Sequence, residues 1–373
     1  MEQVRKVTFK DGYSKEFYPD LKKRVAKYFA DNKISSYGDW RLVLKTVILL
    51  TCYFGGYALL FTGWLNIWEM WGMAIFLGLT TAGIGFNVSH DAIHGSYSKN
   101  DTINYIVGLA LNLIGGNRYL WSITHNIIHH TYTNVHEYDV DLEVAPKLLR
   151  LSENMEHNKT HRTQHIHGFV IYGLASLFWV TVKDWKKFFQ KDIGPYKDKR
   201  HPAKEYFVLF FSKAIYYSYT MVIPLIFLPI AWWQFIIGFV TMHLVAGMTL
   251  GVVFQLAHVV DETDAPKADE PGSIIYNNWA VHQMETTANF AMDNKLINWY
   301  VGGLNFQVEH HLFPRISHVH YPALSKIVQQ TAKEHGVPYN YNKTFADAIR
   351  SHYLALKKFS LPNPVSASEM KVA

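Results

Sequence analysis

The sequence predicts an all-α integral membrane protein with four transmembrane helices in two hairpins. Of its 373 residues, 49% are hydrophobic and 15% aromatic. Mean hydropathy is nevertheless close to zero, so strongly apolar stretches must alternate with strongly polar ones. Four apolar stretches reach the roughly 20 residues that a helix needs to cross a bilayer core of about 30 Å; they cover residues 42–64, 70–89, 206–228 and 232–257. Within each pair the connector is short and carries no lysine or arginine, whereas the long flanking segments are rich in both. The positive-inside rule then places the N-terminus, residues 90–205 and the C-terminal tail on one cytoplasmic face.

Each element follows from its residues. The N-terminal segment 1–41 carries Arg5, Lys6 and Lys10 but has no apolar core before residue 42, too late for a cleaved signal peptide, so the first run is expected to be a retained span. Residues 21–34 place Leu21, Val25, Tyr28 and Phe29 at helical spacing, with Lys22, Lys23, Arg24 and Lys27 elsewhere on the wheel. They predict an amphipathic helix, lying either on the cytoplasmic leaflet or against the protein's own surface. Trp64, Trp68, Trp71, Trp232 and Trp233 mark the opposite interface. Residues 103–116 and 168–182 are apolar but short or interrupted, and are expected as interfacial or half-inserted helices. A further span between the second and third would break the shared face. Pro322 and Gly336 bracket a short helix. The expected organisation is therefore segment 1–41, a membrane domain 42–335 and a loose cytosolic tail 336–373.

A formal charge of +6 does not point to nucleic acid, because the basic residues flank apolar segments and form no groove interleaved with aromatics. Anionic lipid in the bilayer is the better partner. The single cysteine, Cys52, lies in an apolar run, which leaves neither a disulfide framework nor a CxxC metal site. Metal chemistry then falls to histidine, of which there are 20. HDAIH offers His90 and His94, four apart on one helix face. HNIIHH offers His125, His129 and His130 on two adjacent helix edges, QVEHH offers Gln307, His310 and His311, and His258 ends the fourth span. Eight imidazoles are too many for one ion and suit two, each with an open position. Zinc lacks redox chemistry, and imidazole suits iron, so two irons that activate dioxygen are the economical reading. Asp91, Glu309, Asp139 and Asp141 are candidates to accept the other ring N–H of these histidines. His157, His161, His165 and His167 form a near-helical series in a polar stretch and are expected on a solvated or headgroup-facing helix. His136, His201, His243, His318 and His320 are expected in structural roles, as is His282, whose alternatives are a place behind the metal ligands or along the substrate path.

At HDAIH, HNIIHH and QVEHHLFP the chain resembles the membrane fatty acid desaturase family, over residues 40–335. Gln307, where the family usually has a first histidine, is similar to the front-end group, as are HHTYTNVHEYDVD and the paired threonines of QMETT. The resemblance implies a four-span fold whose cytosolic cap holds a di-iron site, with O2 as co-substrate and an acyl-CoA or acyl-lipid bound in a bent tunnel. It implies metal ligation by His90, His94, His125, His129, His130, His258, His310 and His311. Gln307 would bind metal directly, bind through water, or orient a neighbour. The expected reaction is insertion of a double bond between an existing one and the carboxyl end of the chain. A hydroxylase of the same di-iron kind is the alternative, and a metal-binding transporter is a more distant one, since its polar groups would belong near the midplane. The fused cytochrome b5 domain of many front-end enzymes, with its HPGG motif, is not expected here, so a separate ferredoxin or cytochrome b5 is the expected electron donor.

Overall fold

The computed structural model describes residues 7–10, 12–142, 145, 147–196, 200–267, 274–275 and 278–362. Arg5, Lys6 and the tail beyond residue 362 lie outside the described residues. The chain is mostly helical: α1 (Phe17–Asn32), α2 (Trp40–Leu59), α3 (Ile67–Ile93), α4 (Asp101–Gly108), α5 (Lys159–Phe189), α6 (Ala203–Phe227), α7 (Trp232–His258), α8 (Trp279–Thr286), α9 (Gln307–Leu312), α10 (Tyr321–His335) and α11 (Phe345–Phe359). Two short parallel pairs join β1 (Thr8–Phe9) to β2 (Ile274–Ile275) and β3 (Asn289–Phe290) to β4 (Tyr341–Asn342).

Among the described residues, five helices are long and apolar enough to cross a membrane, namely α2, α3, α5, α6 and α7. Four of them coincide with the expected spans. The turn between α2 and α3 is tight because Asn66 and Glu69 form a capping box that restarts the helix at once. The fifth, α5, differs from expectation: residues 168–182 are not a short interrupted piece but the middle of a helix of 31 residues. Its polar first turn is held by reciprocal bonds between Asn158 and His161, and a π-turn at Trp179–Lys183 absorbs a surplus residue without a break.

The partner of α5 is α7, which carries Gly247 and Gly251 four apart. Small residues at that spacing let two helix backbones approach closely. A Cβ on Gly247 would collide with the carbonyl oxygen of Gly173, and one on Gly251 would stand 2.9 Å from the Tyr172 Cβ. One turn before Gly247 in α7, His243 is held between the Ser176 hydroxyl at 3.0 Å and the Tyr216 hydroxyl at 2.9 Å. By contrast, residues 103–116 are interrupted as expected. Gly115 breaks the chain direction with φ +94, and its carbonyl accepts from Lys213 Nζ at 2.6 Å.

The apolar face of α1 is consumed by the protein itself. Phe17, Leu21 and Val25 are buried with Ala280 and Met284 of α8 and Leu324, Val328 and Ala332 of α10, while Lys22, Lys23 and Lys27 stay exposed. Residues 345–359, expected in a loose tail, form α11 instead, because Ala348, His352, Ala355 and Leu356 recur on one face. That face packs with Tyr172, Val252 and Phe290. His352 donates from Nδ1 to the Val259 carbonyl at 2.7 Å, and buried Arg150 donates to the carbonyls of Phe359 and Leu361. The same docking corrects the reading of His157–His167 as a solvated series. His161 is fully buried, and His157 and His167 bond the carbonyls of Ser360 and Leu148.

Candidate metal centre

Four separate pieces of chain meet at one buried cluster. His90 follows a π-turn at Gly85–Ser89 within α3, and His94 caps that helix. His125 and His129 lie in a π-helix, Ser122–His129, rather than an α-helix. The His130 N–H donates to the His125 carbonyl, five residues back, at 3.1 Å. That ladder widens the turn, so the fourth and fifth residues straddle the first and all three imidazoles share a face instead of two edges. His258 is the last residue of α7, and His310 and His311 come from α9.

The ring nitrogens sort into groups. One atom from each of His90, His94, His125 and His310 lies within 4.8 Å of the others, and the same holds for His129, His258 and His311. His130 joins His310 and His311 in a third, overlapping set, its ring stacked on His311 with centroids 4.4 Å apart. All eight side chains are buried. Burial, reinforced by neighbouring imidazoles, holds His130, His310 and His311 well below the ordinary histidine range. The neutral imidazole is the form that binds metal.

Behind the rings stand acceptors that orient them. His129 Nδ1 donates to Asp139 at 2.8 Å and His125 Nδ1 to Asp141 at 3.0 Å, as the sequence suggested for these acids. Burial opposes ionisation of Asp139, but His129 outweighs it and the carboxyl is lowered. Asp91 and Glu309 point elsewhere, because a neighbour in a helix is rotated by roughly 100°. Asp91 faces His318 at 3.0 Å and accepts from Ser317, while Glu309 accepts from Asn289 and Tyr339 at 2.8 and 2.9 Å. Burial pushes Glu309 up to about 7. Their places are taken by groups that sequence reasoning missed. His311 Nδ1 meets Gln283, His310 Nδ1 lies 3.2 Å from the Tyr321 hydroxyl, and His258 Nδ1 lies 3.4 Å from the Thr286 carbonyl. Trp121 stacks on His125 at 4.2 Å. The QMETT segment was the available signal for Gln283 and Thr286; nothing in the spacing marked Tyr321 or Trp121. Gln307 is buried in the first turn of α9, three and four residues before His310 and His311, and so on their side of the helix.

The residues present fit metal. With Nδ1 of His125, His129, His258 and His311 turned outward, the Nε2 atoms of those four and of His94 and His310 are buried with no hydrogen-bond partner among the described residues, as are both ring nitrogens of His130. A buried polar atom left unpaired costs about 1–3 kcal/mol, and seven converging rings in that condition are explained by coordination.

The deciding comparison is with known families. Residues 66–343 match the model for fatty acid desaturases. The chain belongs to that family. The desaturase is 35% identical over 363 residues to the acyl-lipid (8-3)-desaturase of Physcomitrium patens, covering 96% of this chain and 75% of that protein. It is also 35% identical over 369 residues to the sn-1 linoleoyl-lipid 6-desaturase of Arthrospira platensis, covering 98% and 97%. A sn-1 linoleoyl-lipid 6-desaturase of Synechocystis sp. is 34% identical over 337 residues, covering 89% and 92%. The protein is thus a multi-pass membrane oxidoreductase that desaturates fatty acyl chains. For this desaturase, Asp139→Asn is expected to weaken metal binding about 10- to 100-fold, the usual effect of removing the acceptor behind a ligating histidine. Titration of the purified protein with ferrous ion reads this directly, and unchanged affinity would contradict it.

Proposed function

We propose that the chain is a front-end acyl-lipid desaturase that uses two irons on the cytoplasmic face of the bilayer. The observation that carries this reading is the pair of buried imidazole groups whose ring nitrogens converge, most of them with no hydrogen-bond partner among the described residues. His90, His94, His125 and His310 would hold one iron, and His129, His258, His311 and Gln307 the other, with His130 between them completing the first. Bound iron would supply dioxygen activation and hydrogen removal from an unactivated methylene. The front-end position is supported by Gln307 and by the relatives named above, of which two act on linoleoyl lipids.

The chain's own task is placement. Trp121, stacked on His125, belongs to an apolar cluster with Val88, Ile93, Leu111 and Ile114. The same cluster includes Tyr53 and Tyr219, whose hydroxyls meet at 3.0 Å. Beyond Tyr53 lies a cavity of about 470 Å³ with Trp68, Trp71 and Trp233 in its wall. An acyl chain that reaches the imidazoles past this cluster would present one C–C pair to the metals and keep water from them.

A four-span topology, with both termini and the catalytic face cytoplasmic, agrees with the way α5 is tied at both ends. Near its start, Gln164 bonds the carbonyls of Arg150 and Leu356; near its end, Lys183 lies 3.5 Å from Asp141, the partner of His125. Both anchors belong to the histidine-bearing side, which supports an α5 that runs obliquely along that side and adds no crossing of its own. The domain would span residues 42–335, and a separate ferredoxin or cytochrome b5 would supply electrons.

Expression in a host that lacks polyunsaturated lipids, with linoleate supplied, is expected to yield a product two hydrogens lighter. Its new double bond should lie on the carboxyl side, located by gas chromatography with mass spectrometry. A product heavier by one oxygen would instead mean hydroxylation, and a new bond on the methyl side would refute the front-end assignment.

A further inference from the structure

Gln283 is the one amide among the side chains that back the ligating rings. It is fully buried at the centre of α8. Its Oε1 accepts from His311 Nδ1 at 2.8 Å and faces the Thr133 hydroxyl, also at 2.8 Å. Thr133 lies four residues after His129, and its hydroxyl is 2.7 Å from the His129 carbonyl. One carboxamide therefore links the HNIIHH segment to QVEHH through two contacts.

An amide oxygen only accepts. Placed against Nδ1, it requires the ring proton there and leaves the His311 Nε2 lone pair free. The Tyr321 hydroxyl behind His310 both donates and accepts, so it does not select a tautomer in this way. Charge separates the partners as well. Asp141 gives the first group one anionic acceptor and Asp139 gives the second group one. A carboxylate in place of Gln283 would give the second group two. An acceptor with more negative charge makes the imidazole more basic.

Resting on the di-iron reading above, we propose that Gln283 is a positioning residue for the second iron. Its oxygen fixes the His311 tautomer, and its neutrality keeps the two metals balanced at one carboxylate-backed histidine each. Gln283→Met keeps the length of the side chain and removes the strong acceptor. Gln283→Glu keeps the acceptor and adds charge.

The test loads the purified full-length protein anaerobically with ferrous ion, then measures iron per chain and the reduction midpoint of the bound metal. Circular dichroism of each variant is recorded alongside. The wild type is expected to hold two irons. Q283M is expected to bind the second about 10- to 100-fold more weakly, so that stoichiometry falls towards one at limiting iron. Q283E is expected to hold two, with the midpoint shifted to lower potential. Two tightly bound irons in Q283M would overturn the tautomer role, and so would equal iron loss in Q283M and Q283E with folding intact. An unshifted midpoint in Q283E would overturn the charge role, and that measurement decides the matter even if Q283M does not fold. A wild-type chain that takes up no iron removes the di-iron reading itself, an outcome visible before any variant is compared.

Discussion

Replacing His129 with alanine is expected to abolish desaturation and to strip iron from the second imidazole group. His129 is fully buried. Its ring centroid lies 4.6 Å from that of His258 and 5.0 Å from that of His311, and its Nε2 has no hydrogen-bond partner among the described residues. Alanine removes one of three imidazoles from that group. It also leaves Asp139 facing an empty space, still accepting backbone N–H bonds from Asn134 and Asp141 but without its ring partner. Leaving a buried acceptor without its donor costs about 1–3 kcal/mol, and more when it is charged, so activity and local stability should fall together. Product analysis by gas chromatography and iron content by mass spectrometry read the two effects separately. An H129A protein that retains two irons and turns over would refute its assignment as a ligand.

The second large effect is on stability. Gly247→Leu is expected to lower the melting temperature of the detergent-solubilised protein markedly, because the added Cβ meets the Gly173 backbone carbonyl rather than a side chain that can swing away. Overpacking in a tight core costs typically 1–3 kcal/mol and occasionally more. Gly72→Leu is the control, since nothing lies within 4 Å of a Cβ built there. Equal melting temperatures for the two variants would show that the α5–α7 crossing is looser than the geometry implies.

Sequence reasoning reached the long apolar helices and the clustered histidines by different routes. Long apolar runs such as that of α7 announce themselves because a bilayer demands about 20 apolar residues whatever they pack against. The segment 159–189 escaped because Lys159, His161, Arg162, Gln164 and the terminal lysines dilute its hydropathy. The signal that it packs closely on α7 sat on α7 itself, in the pairing of Gly247 with Gly251. The histidine boxes were recognisable because ligand chemistry restricts residue type and spacing together. The groups that aim them were not, because the contact between His311 and Gln283 spans 28 positions and depends on how α8 and α9 pack. Asp91 and Glu309 show the converse: adjacency to His90 and His310 in the chain places them on the wrong side of a helix. The C-terminal helix α11 was missed because its buried face is built from Ala348, Ser351, His352 and Ala355 with Leu356 the one large apolar residue among them, too little to stand out as an apolar stripe.

The π-helix at Ser122–His129 has a consequence for comparing sequences by length. Histidines at positions 1, 4 and 5 share one face of an α-helix, whereas those of HNIIHH stand at positions 1, 5 and 6 and share a face because the turn is wider. The extra isoleucine and the extra residue in the turn cancel. Length in this stretch is therefore read through helix type: the wider turn takes up a residue while the number of imidazoles that reach the centre stays the same.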